Sequence, residues 1–205
     1  MVKVKICGIT NLEDALASLF LGAEAIGFVF YKKSPRYISP LKAANISRIL
    51  PKKIIRVGVF VDEDARTVRK TAGLCGLNML QFHGNEPAEY CRKFKGYKII
   101  KAFPVKGELD LSGISGYKGC VFLFDTCSAK RFGGTGRKFN WHLLKNLDKI
   151  KNPVFLSGGL TAGNVGKAIK LLKPCWVDAS SSLESRPGKK DHKKIKEFIQ
   201  AARRS

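Results

Sequence analysis

Eight short apolar segments alternate with helix-like segments along the 205 residues, and this alternation restricts the fold more than any other feature. The apolar segments are rich in β-branched and aromatic residues, as β-strands are. They are VKVKIC ending at Cys7, EAIGFVF at Phe30, IIRVGVF at Phe60, NMLQF at Phe82, YKIIKAF at Phe103, CVFLFD at Asp125, PVFLS at Ser157 and CWVDA at Ala179. Strands separated by helices require parallel crossover connections. We therefore expect an α/β protein, a single-domain (β/α)₈ TIM barrel over residues 1–205, with a doubly wound open sheet as the alternative.

Several of the intervening segments carry the signals that start and stop helices. The predicted helices start at Thr10 or Asn11, at Ser39 with Pro40, and at Asn164, and they end at Gly22, Pro51 and Pro174. The fifth unit is the weakest, because GELDLSGISG at 107–116 is short and rich in glycine. We expect a short fifth helix there.

Composition limits the class of protein. Hydrophobic residues make up 44% of the chain and charged residues 26%, which is typical of a globular domain. No apolar stretch is long enough to span a membrane, and the first residues lack the apolar region of a secretory signal, so we expect a cytoplasmic protein. Six scattered cysteines without a CxxC pair indicate neither a zinc site nor a disulfide framework. We expect no bound metal.

The chain carries 38 Lys and Arg against 16 Asp and Glu, a net charge of +22. Such a field attracts nucleic acids, acidic lipid surfaces and anionic small molecules alike. The basic residues are spread along the chain without an arginine-rich arm, so we interpret them mainly as a lysine-coated surface and expect no nucleic-acid partner.

Polar residues follow the predicted strands at their carboxyl ends, where barrel enzymes place their active sites. These residues are Cys7, Arg36, Gln81, His83, Asp125, Ser157, Gly158, Gly159, Asp178, Ser180 and Ser181. Cys7 is either a base or nucleophile at the mouth or a small buried hydrophobe. Asp125 ends the apolar run CVFLF, so it is hydrogen-bonded, ionised at the mouth, or held protonated as an acid.

Two loops in consecutive units predict a phosphate site. SGGL from Ser157 offers glycine amides, and DASSS from Asp178 adds hydroxyls and further amides. Loops after strands 7 and 8 are where barrels commonly bind phosphate. FGGTGRKFNW from Phe132 lacks the GxGxxG and Walker spacings, so we interpret it as a mobile lid near Asp125.

Nearly the whole chain resembles the phosphoribosylanthranilate isomerase family of tryptophan biosynthesis. The matching segments are KICGIT at Lys5, GFVFYKKSPRYIS at Gly27, VGVFVDE at Val57, QFHGNE at Gln81, FDT at Phe124, GGTGRKFNW at Gly133, LSGGL at Leu156, VDASS at Val177 and PGKKD at Pro187. KICGIT together with SPRYIS and GGTG is a specific combination.

The resemblance implies a cofactor-free Amadori rearrangement of N-(5-phosphoribosyl)anthranilate. In family terms, Asp125 protonates the furanose ring oxygen, Cys7 removes the proton from ribose C2, and Arg36 binds the anthranilate carboxylate. Further substrate contacts are assigned to Gln81, His83, Gly133, Gly134 and Asp178, and the phosphate to Gly158, Gly159, Ser180 and Ser181.

One position departs from the family, since Ser182 stands where DxSSG usually has glycine. If that position takes a positive φ, we expect a strained loop and weaker phosphate binding. The alternatives are an indoleglycerol-phosphate synthase, for which Lys101 is the candidate lysine, and a ribulose-phosphate epimerase, whose metal-binding histidines are lacking. A third alternative is a basic nucleic-acid-binding module, which would need a basic stripe interleaved with stacking aromatic residues, and the sequence has none. We expect a small phosphosugar-anthranilate substrate and a monomer or homodimer.

Overall fold

The computed structural model describes residues 1–105, 112–125, 147, 150 and 152–205, and eight parallel strands in it form a closed barrel. The strands are β1 (Lys3–Cys7), β2 (Ala25–Val29), β3 (Ile55–Phe60), β4 (Met79–Phe82), β5 (Lys98–Pro104), β6 (Val121–Asp125), β7 (Val154–Ser157) and β8 (Trp176–Ala179). Neighbours in the chain pair with each other, and β1 also pairs with β8. Each strand lies in its predicted segment, except that β5 continues one residue beyond it to Pro104, so the (β/α)₈ barrel is confirmed and the open sheet is wrong.

The helices pack around this barrel. They are α1 (Leu12–Phe20), α2 (Pro40–Ile49), α3 (Ala65–Cys75), α4 (Ala88–Cys91), α5 (Val165–Leu172) and α6 (His192–Arg203). The predicted start of α1 is confirmed, because the Asn11 side chain accepts from the amide of Asp14 at 2.8 Å. Ser39 caps α2 with Pro40 in its first turn, also as predicted. Asn164 precedes α5, but its side-chain oxygen accepts from the amide of Thr161 instead of capping the helix.

In the described residues, the units on either side of β5 have little helix. Between β5 and β6, a 3₁₀ turn at Ser112–Ile114 is the only helical piece among the described residues, as the short fifth helix predicts, and 106–111 lie outside them. The short α4 was not expected. Only 83–97 separate β4 from β5, and Pro87 and Gly96 limit the helix within that stretch.

Alternation along the strands divides the core into two parts. Apolar side chains that point inward fill the lower barrel, with the rings of Phe155 and Trp176 stacked at 4.8 Å. Strand side chains that point outward, such as Phe28 and Phe124, pack against helix side chains such as Phe198 of α6. Together they form the larger core between the barrel and the helices. Near the carboxyl ends of the strands, the side chains inside the barrel are polar instead of apolar. The candidate site therefore lies at this end of the barrel.

A hairpin beyond β8 was not predicted. After a 3₁₀ turn at Ser181–Leu183, strands β9 (Glu184–Arg186) and β10 (Lys189–Lys190) pair in antiparallel fashion outside the barrel. Its Lys190 is 2% exposed, and Lys5 and Lys101 are also buried. The interpretation of the basic residues as surface coating is therefore wrong for these three lysines. No described helix is long and apolar enough to cross a membrane.

Candidate active site

A cavity of about 640 Å³ opens at the carboxyl ends of the strands. Nine of the predicted site residues line it, namely Cys7, Arg36, Gln81, His83, Asp125, Ser157, Asp178, Ser180 and Ser181. Gly158 and Gly159 follow β7 directly but are not in its wall. The remaining predicted contacts, Gly133 and Gly134, lie outside the described residues, as does the lid interpretation of 132–141.

Cys7 ends β1 with its side chain inside the barrel mouth. Its register partner on β2 is Gly27, and a Cβ at that glycine would stand 2.7 Å from the Cys7 sulfur. Only glycine therefore leaves room for the thiol at this level. Burial raises the pKa of the Cys7 thiol above its ordinary value, while the charge of Lys5 opposes that effect.

Lys5 is a member of the site that the sequence prediction missed. Its side chain is 0% exposed inside the barrel, and its ammonium lies 2.9 Å from Oδ1 of Asp178, its register partner on β8. The hydroxyl of Ser157 donates to Oδ2 of Asp178 at 3.3 Å. Burial is the largest single effect and lowers the pKa of Lys5, but the charges and hydrogen bonds of Asp178 and Cys7 together outweigh it, so the pKa is raised. Strand alternation could have found Lys5, because it lies two residues before Cys7.

Arg36 meets a carboxylate that belongs to the protein. Its Nε and Nη2 donate to the two oxygens of Glu184 at 2.8 and 2.7 Å, a bidentate pair that fixes the plane of the guanidinium. Two of its five N–H donors are used in this pair, which leaves three for a ligand among the described contacts. The sequence prediction missed Glu184, since nothing local in SSLESR relates it to a residue 148 positions away.

Lys190 is a second cation that contacts the carboxylate of Glu184. Its buried ammonium lies 3.0 Å from Oε1 of Glu184 and donates to the carbonyl of Ser180 at 3.1 Å. Burial alone would raise the pKa of Glu184, but the hydrogen bond from Arg36 and the charge of Lys190 lower it below its ordinary value. Glu184 is therefore held as a carboxylate between two cations.

Gly8 explains how Arg36 reaches this position. It has a φ of +78°, and a Cβ there would stand 2.8 Å from Cδ of Arg36 and 2.9 Å from Oγ of Ser180. Glycine is needed for both the backbone conformation and the space. The loop after β2 and the loop after β8 therefore meet directly above the end of β1.

A second chain of polar contacts runs from β4 to β6. The amide nitrogen of Gln81 lies 3.0 Å from Nδ1 of His83, and Nε2 of His83 lies 3.2 Å from Oδ2 of Asp125. With Gln81 as donor to Nδ1, the imidazole proton is on Nε2 and points to Asp125. Within the described chain, Oε1 of Gln81 and Oδ1 of Asp125 are buried without a hydrogen-bond partner.

The two loops predicted to bind phosphate are joined to each other. Gly158 and Gly159 have φ values of +89° and +64°, which glycine adopts without strain. The hydroxyl of Ser182 donates to the carbonyl of Leu160 at 2.5 Å and so links the β8 loop to the β7 loop. Ser180 Oγ is buried without a partner in the described part of the chain.

The strain expected at Ser182 is absent. Among the described residues other than glycine, only Asp62 and Lys173 have a positive φ. The position held by Ser182 therefore has a conformation open to any residue, and its side chain adds a contact instead of a clash.

Lys101 does not lie at the cavity. Its ammonium donates to the carbonyl of Gly84 at 2.6 Å and to Glu86 at 2.7 Å, with both side chains less than 5% exposed. It points outward from β5, since its neighbours Ile100 and Ala102 face the inner core. Lys101, the candidate lysine for a synthase, is therefore not in the wall of this cavity. No group of three or more His, Cys, Asp or Glu side chains in the described ranges is placed to hold a metal ion.

The fold and the mouth define a (β/α)₈-barrel enzyme whose cavity holds a thiol and a carboxyl group beside the linked β7 and β8 loops. The family described as N-(5'phosphoribosyl)anthranilate (PRA) isomerase matches residues 4–201, and this chain belongs to that family. The Pelobacter propionicus N-(5'-phosphoribosyl)anthranilate isomerase is 47% identical over 203 residues, which is 99% of this chain and 96% of that protein.

Solved structures agree with this assignment. The crystal structure of the phosphoribosyl anthranilate isomerase of Thermotoga maritima is 46% identical and covers 100% of both chains, with a TM-score of 0.94. Another phosphoribosyl anthranilate isomerase, solved in complex with reduced 1-(o-carboxyphenylamino)-1-deoxyribulose 5-phosphate, is 45% identical with a TM-score of 0.90 over 100% of both chains.

Proposed function

We propose that this isomerase converts N-(5-phosphoribosyl)anthranilate into 1-(2-carboxyphenylamino)-1-deoxyribulose 5-phosphate, with Asp125 as general acid and Cys7 as general base. The observation that carries this assignment is the shared cavity, whose wall holds both groups together with Arg36 and the serines of the β8 loop. Such a cavity suits a ligand with a carboxylate at one end and a phosphate at the other.

Asp125 begins the reaction by protonating the furanose ring oxygen. The C1–O bond then breaks, and the electron pair of the anthranilate nitrogen forms a Schiff base at C1. The support for Asp125 is that Oδ1 is a buried oxygen with no other partner among the described residues, so a ligand oxygen can take that contact. His83 holds the other oxygen at 3.2 Å and fixes the orientation of the carboxyl group.

Cys7 then removes the proton from ribose C2, which gives an enol-amine that tautomerises to the ketone product. The proton that leaves C2 balances the proton that Asp125 supplied, so the reaction needs no external oxidant or reductant. β1 and β6 are separated by β7 and β8 in the ring of strands, so the two groups reach the ribose from different directions. General acid and base groups placed in this way each contribute about 10²- to 10⁴-fold in rate.

The two anionic ends of the substrate are assigned to different parts of the barrel mouth. The anthranilate carboxylate is assigned to the N–H groups of Arg36 that Glu184 does not use. The phosphate is assigned to the hydroxyls of Ser180 and Ser181 in the cavity wall and to the amides of Gly158 and Gly159 next to it. This assignment is supported by Oγ of Ser180, which is buried without a partner among the described residues.

Genetic complementation and a direct assay test this proposal together. The gene should restore growth without tryptophan to a strain that lacks only this step, and the purified protein should form product from substrate made in situ. A matched carrier of Asp125→Asn should fail in both tests. Product formation without complementation would indicate poor expression, whereas failure of both by the soluble folded protein would overturn the proposed function.

A further inference from the structure

Lys5 is a fully buried cation to which the proposed steps assign no task. Its side chain is 0% exposed, and removing an ammonium from water costs several kcal/mol unless a carboxylate pairs with it. Asp178 supplies that carboxylate at 2.9 Å. A hydrophobic pair of similar volume would fill the barrel without this cost. Packing alone therefore does not explain a lysine and an aspartate at these two positions.

The register of three neighbouring strands brings Lys5 next to the reacting sulfur. Lys5 and Cys7 are alternate residues of β1 and point to the same side, into the barrel. A Cβ at Gly27 would stand 2.7 Å from the sulfur and 3.2 Å from Cε of Lys5, so both side chains converge on the space that this glycine leaves. On the other side of β1, Asp178 holds the ammonium in place.

We propose that Lys5 is a positioning residue for the general base, held by Asp178 beside the sulfur of Cys7, where its positive charge stabilises the thiolate that takes the C2 proton. This inference rests on the role proposed above for Cys7. Lys5 keeps its own protons throughout. When the thiolate takes the proton it becomes neutral, and the Lys5–Asp178 pair remains as a neutral unit in the barrel.

Other charged groups also face Cys7 and must be weighed against Lys5. They are Asp178 on β8, Lys190 on β10, Arg36 and Lys33 after β2, Asp125 on β6 and His83 after β4, together with the phenol of Tyr31. Lys33 is exposed, so solvent screens its charge. Arg36 and Lys190 share the carboxylate of Glu184, which offsets their charge. Of the two lysines of β1, Lys3 lies with its ammonium 5.4 Å from the centre of the Trp176 ring, whereas the side chain of Lys5 meets the sulfur of Cys7 over Gly27.

The test measures alkylation of Cys7 by iodoacetamide as a function of pH, followed by mass spectrometry of the Cys7 peptide so that exposed Cys175 does not interfere. The reactive species is the thiolate. We expect Lys5→Met to slow alkylation at pH 8 about tenfold and to move its midpoint to higher pH, as loss of one opposite charge within about 4–6 Å should. Lys101→Met is the matched control, because it removes a lysine equally buried in a carboxylate pair outside the cavity, and it should leave the Cys7 profile unchanged.

A second variant keeps the test decisive if Lys5→Met does not fold. Asp178→Asn removes the neighbouring anion and keeps the ammonium, so the midpoint should move to lower pH and alkylation at pH 8 should become faster. A general loosening of the barrel would change both variants in the same direction. Shifts in opposite directions support the proposal, and shifts in the same direction or none overturn it. If Lys5→Met does not fold, a shift to lower pH in Asp178→Asn supports the proposal, and a shift to higher pH or none overturns it.

The pH profile of kcat/KM separates this inference from the proposed function. In Lys5→Met the limb assigned to Cys7 should move to higher pH by the same amount as the alkylation profile. If the alkylation profile moves and the catalytic profile does not, Cys7 is not the base, and the coupling of Lys5 to its thiolate still holds. If Cys7→Ser is inactive and neither profile moves in Lys5→Met, Lys5 has no such role while the proposed function holds.

Discussion

The two sides of the cavity mouth differ in how completely their charged groups are paired. On the side built by β1, β8 and the hairpin, Lys5 pairs with Asp178 at 2.9 Å and Arg36 pairs with Glu184 at 2.7 Å. Lys190 adds a second cation to Glu184 at 3.0 Å. Each of these charges is fixed before any ligand arrives.

The side built by β4 and β6 is incomplete by comparison. Asp125 has one oxygen on His83, and its other oxygen, like Oε1 of Gln81, is buried without a partner within the described ranges. A buried acceptor without a hydrogen bond costs about 1–3 kcal/mol. Such a cost is acceptable where a ligand supplies the missing donor.

This difference in pairing indicates that one side of the mouth binds and orients the ligand and that the other side exchanges protons with it. Paired charges give a rigid wall that orients the ligand, so substitutions there should act mainly on KM or on stability. Asp125 has one oxygen without a partner among the described residues and is free to exchange a proton there, so loss of its carboxyl group should act on kcat. Cys7 is the exception, since it lies on the paired side and is assigned a reacting role, and the predictions below use it as such.

Asp125→Asn should have the largest effect. The amide keeps the shape and the contact with His83 but has no acidic proton, so kcat should fall by about 10²- to 10⁴-fold with a much smaller change in KM. Steady-state kinetics with substrate made in situ measure both constants. The control is Asp64→Asn, at the exposed start of α3, where asparagine caps a helix as well as aspartate does. A kcat within a few-fold of wild type for Asp125→Asn would return Asp125 to a structural role.

Cys7→Ser should lower kcat by a similar factor, because a hydroxyl is too weakly acidic to provide a useful base. Burial raises the pKa of Cys7, so kcat/KM should rise with pH along a limb that lies above the range of a free thiol. That limb should flatten in Cys7→Ser. Cys75→Ser is the matched control, since Cys75 is buried at the end of α3 and donates to the carbonyl of Pro40 far from the cavity. The assignment fails if the two variants have the same kcat.

Arg36→Met should raise KM with little change in kcat, which is the pattern expected of the paired side. A charge-assisted contact with a carboxylate contributes on the order of 1.5 to 3 kcal/mol, equivalent to about 10- to 150-fold in KM. Arg48→Met, on an exposed part of α2, controls for the loss of one positive charge from the chain. Equal KM values for the two variants would show that Arg36 pairs with Glu184 only to stabilise the structure and does not bind the substrate carboxylate.

Asp14→Asn should affect stability and leave kcat unchanged, because Asp14 supports the paired side from beneath. Its Oδ2 accepts from the amide of Lys190 at 2.8 Å and its Oδ1 lies 2.9 Å from Nε2 of His192. Hydrogen bonds to a charged group contribute about 1.5–3 kcal/mol, so the free energy of unfolding at pH 7 should fall by about 1–2 kcal/mol after partial compensation by the amide.

The pH dependence of that loss has a defined sign. Burial would raise the pKa of Asp14, but the hydrogen bonds from Lys190 and Asn11 lower it below its ordinary value. The stabilisation is therefore complete above the unfolded pKa of about 3.9 and is lost as the pH falls through the lower folded value. Urea unfolding should show the difference between wild type and Asp14→Asn shrinking below about pH 4. A difference that stays constant to pH 2 would contradict this assignment.

The barrel could be predicted from the sequence for a physical reason. Parallel strands are buried on both faces, so each is an apolar run that ends where the chain reaches the mouth. That rule also located Cys7, Asp125 and Asp178, which end or nearly end their strands. The alternation of side chains along β1 also predicts that Lys5 points into the barrel with Cys7, so applying this rule within the strand would have identified Lys5 as a site residue.

The partners of the charged residues could not be predicted in the same way. Arg36 and Glu184 are 148 positions apart, and their pairing depends on a hairpin and on the space above Gly8. Neither feature leaves a local pattern in the sequence. The backbone conformation of Ser182 could not be predicted either, because a serine in place of a family glycine does not indicate which φ its position takes.

Ser182 therefore carries the prediction with the smallest effect. Its hydroxyl links the β8 loop to the carbonyl of Leu160, and one such hydrogen bond contributes about 1 kcal/mol, equivalent to about fivefold in affinity. Both Ser182→Ala and Ser182→Gly should raise KM about fivefold and weaken inhibition by inorganic phosphate to the same extent, with kcat unchanged. Glycine should be slightly worse than alanine, because it also frees the backbone of the loop. If serine instead strains the loop, Ser182→Gly should bind phosphate more tightly than wild type and Ser182→Ala should not. Tighter binding by the glycine variant alone would thus overturn the link between the two loops as the role of Ser182.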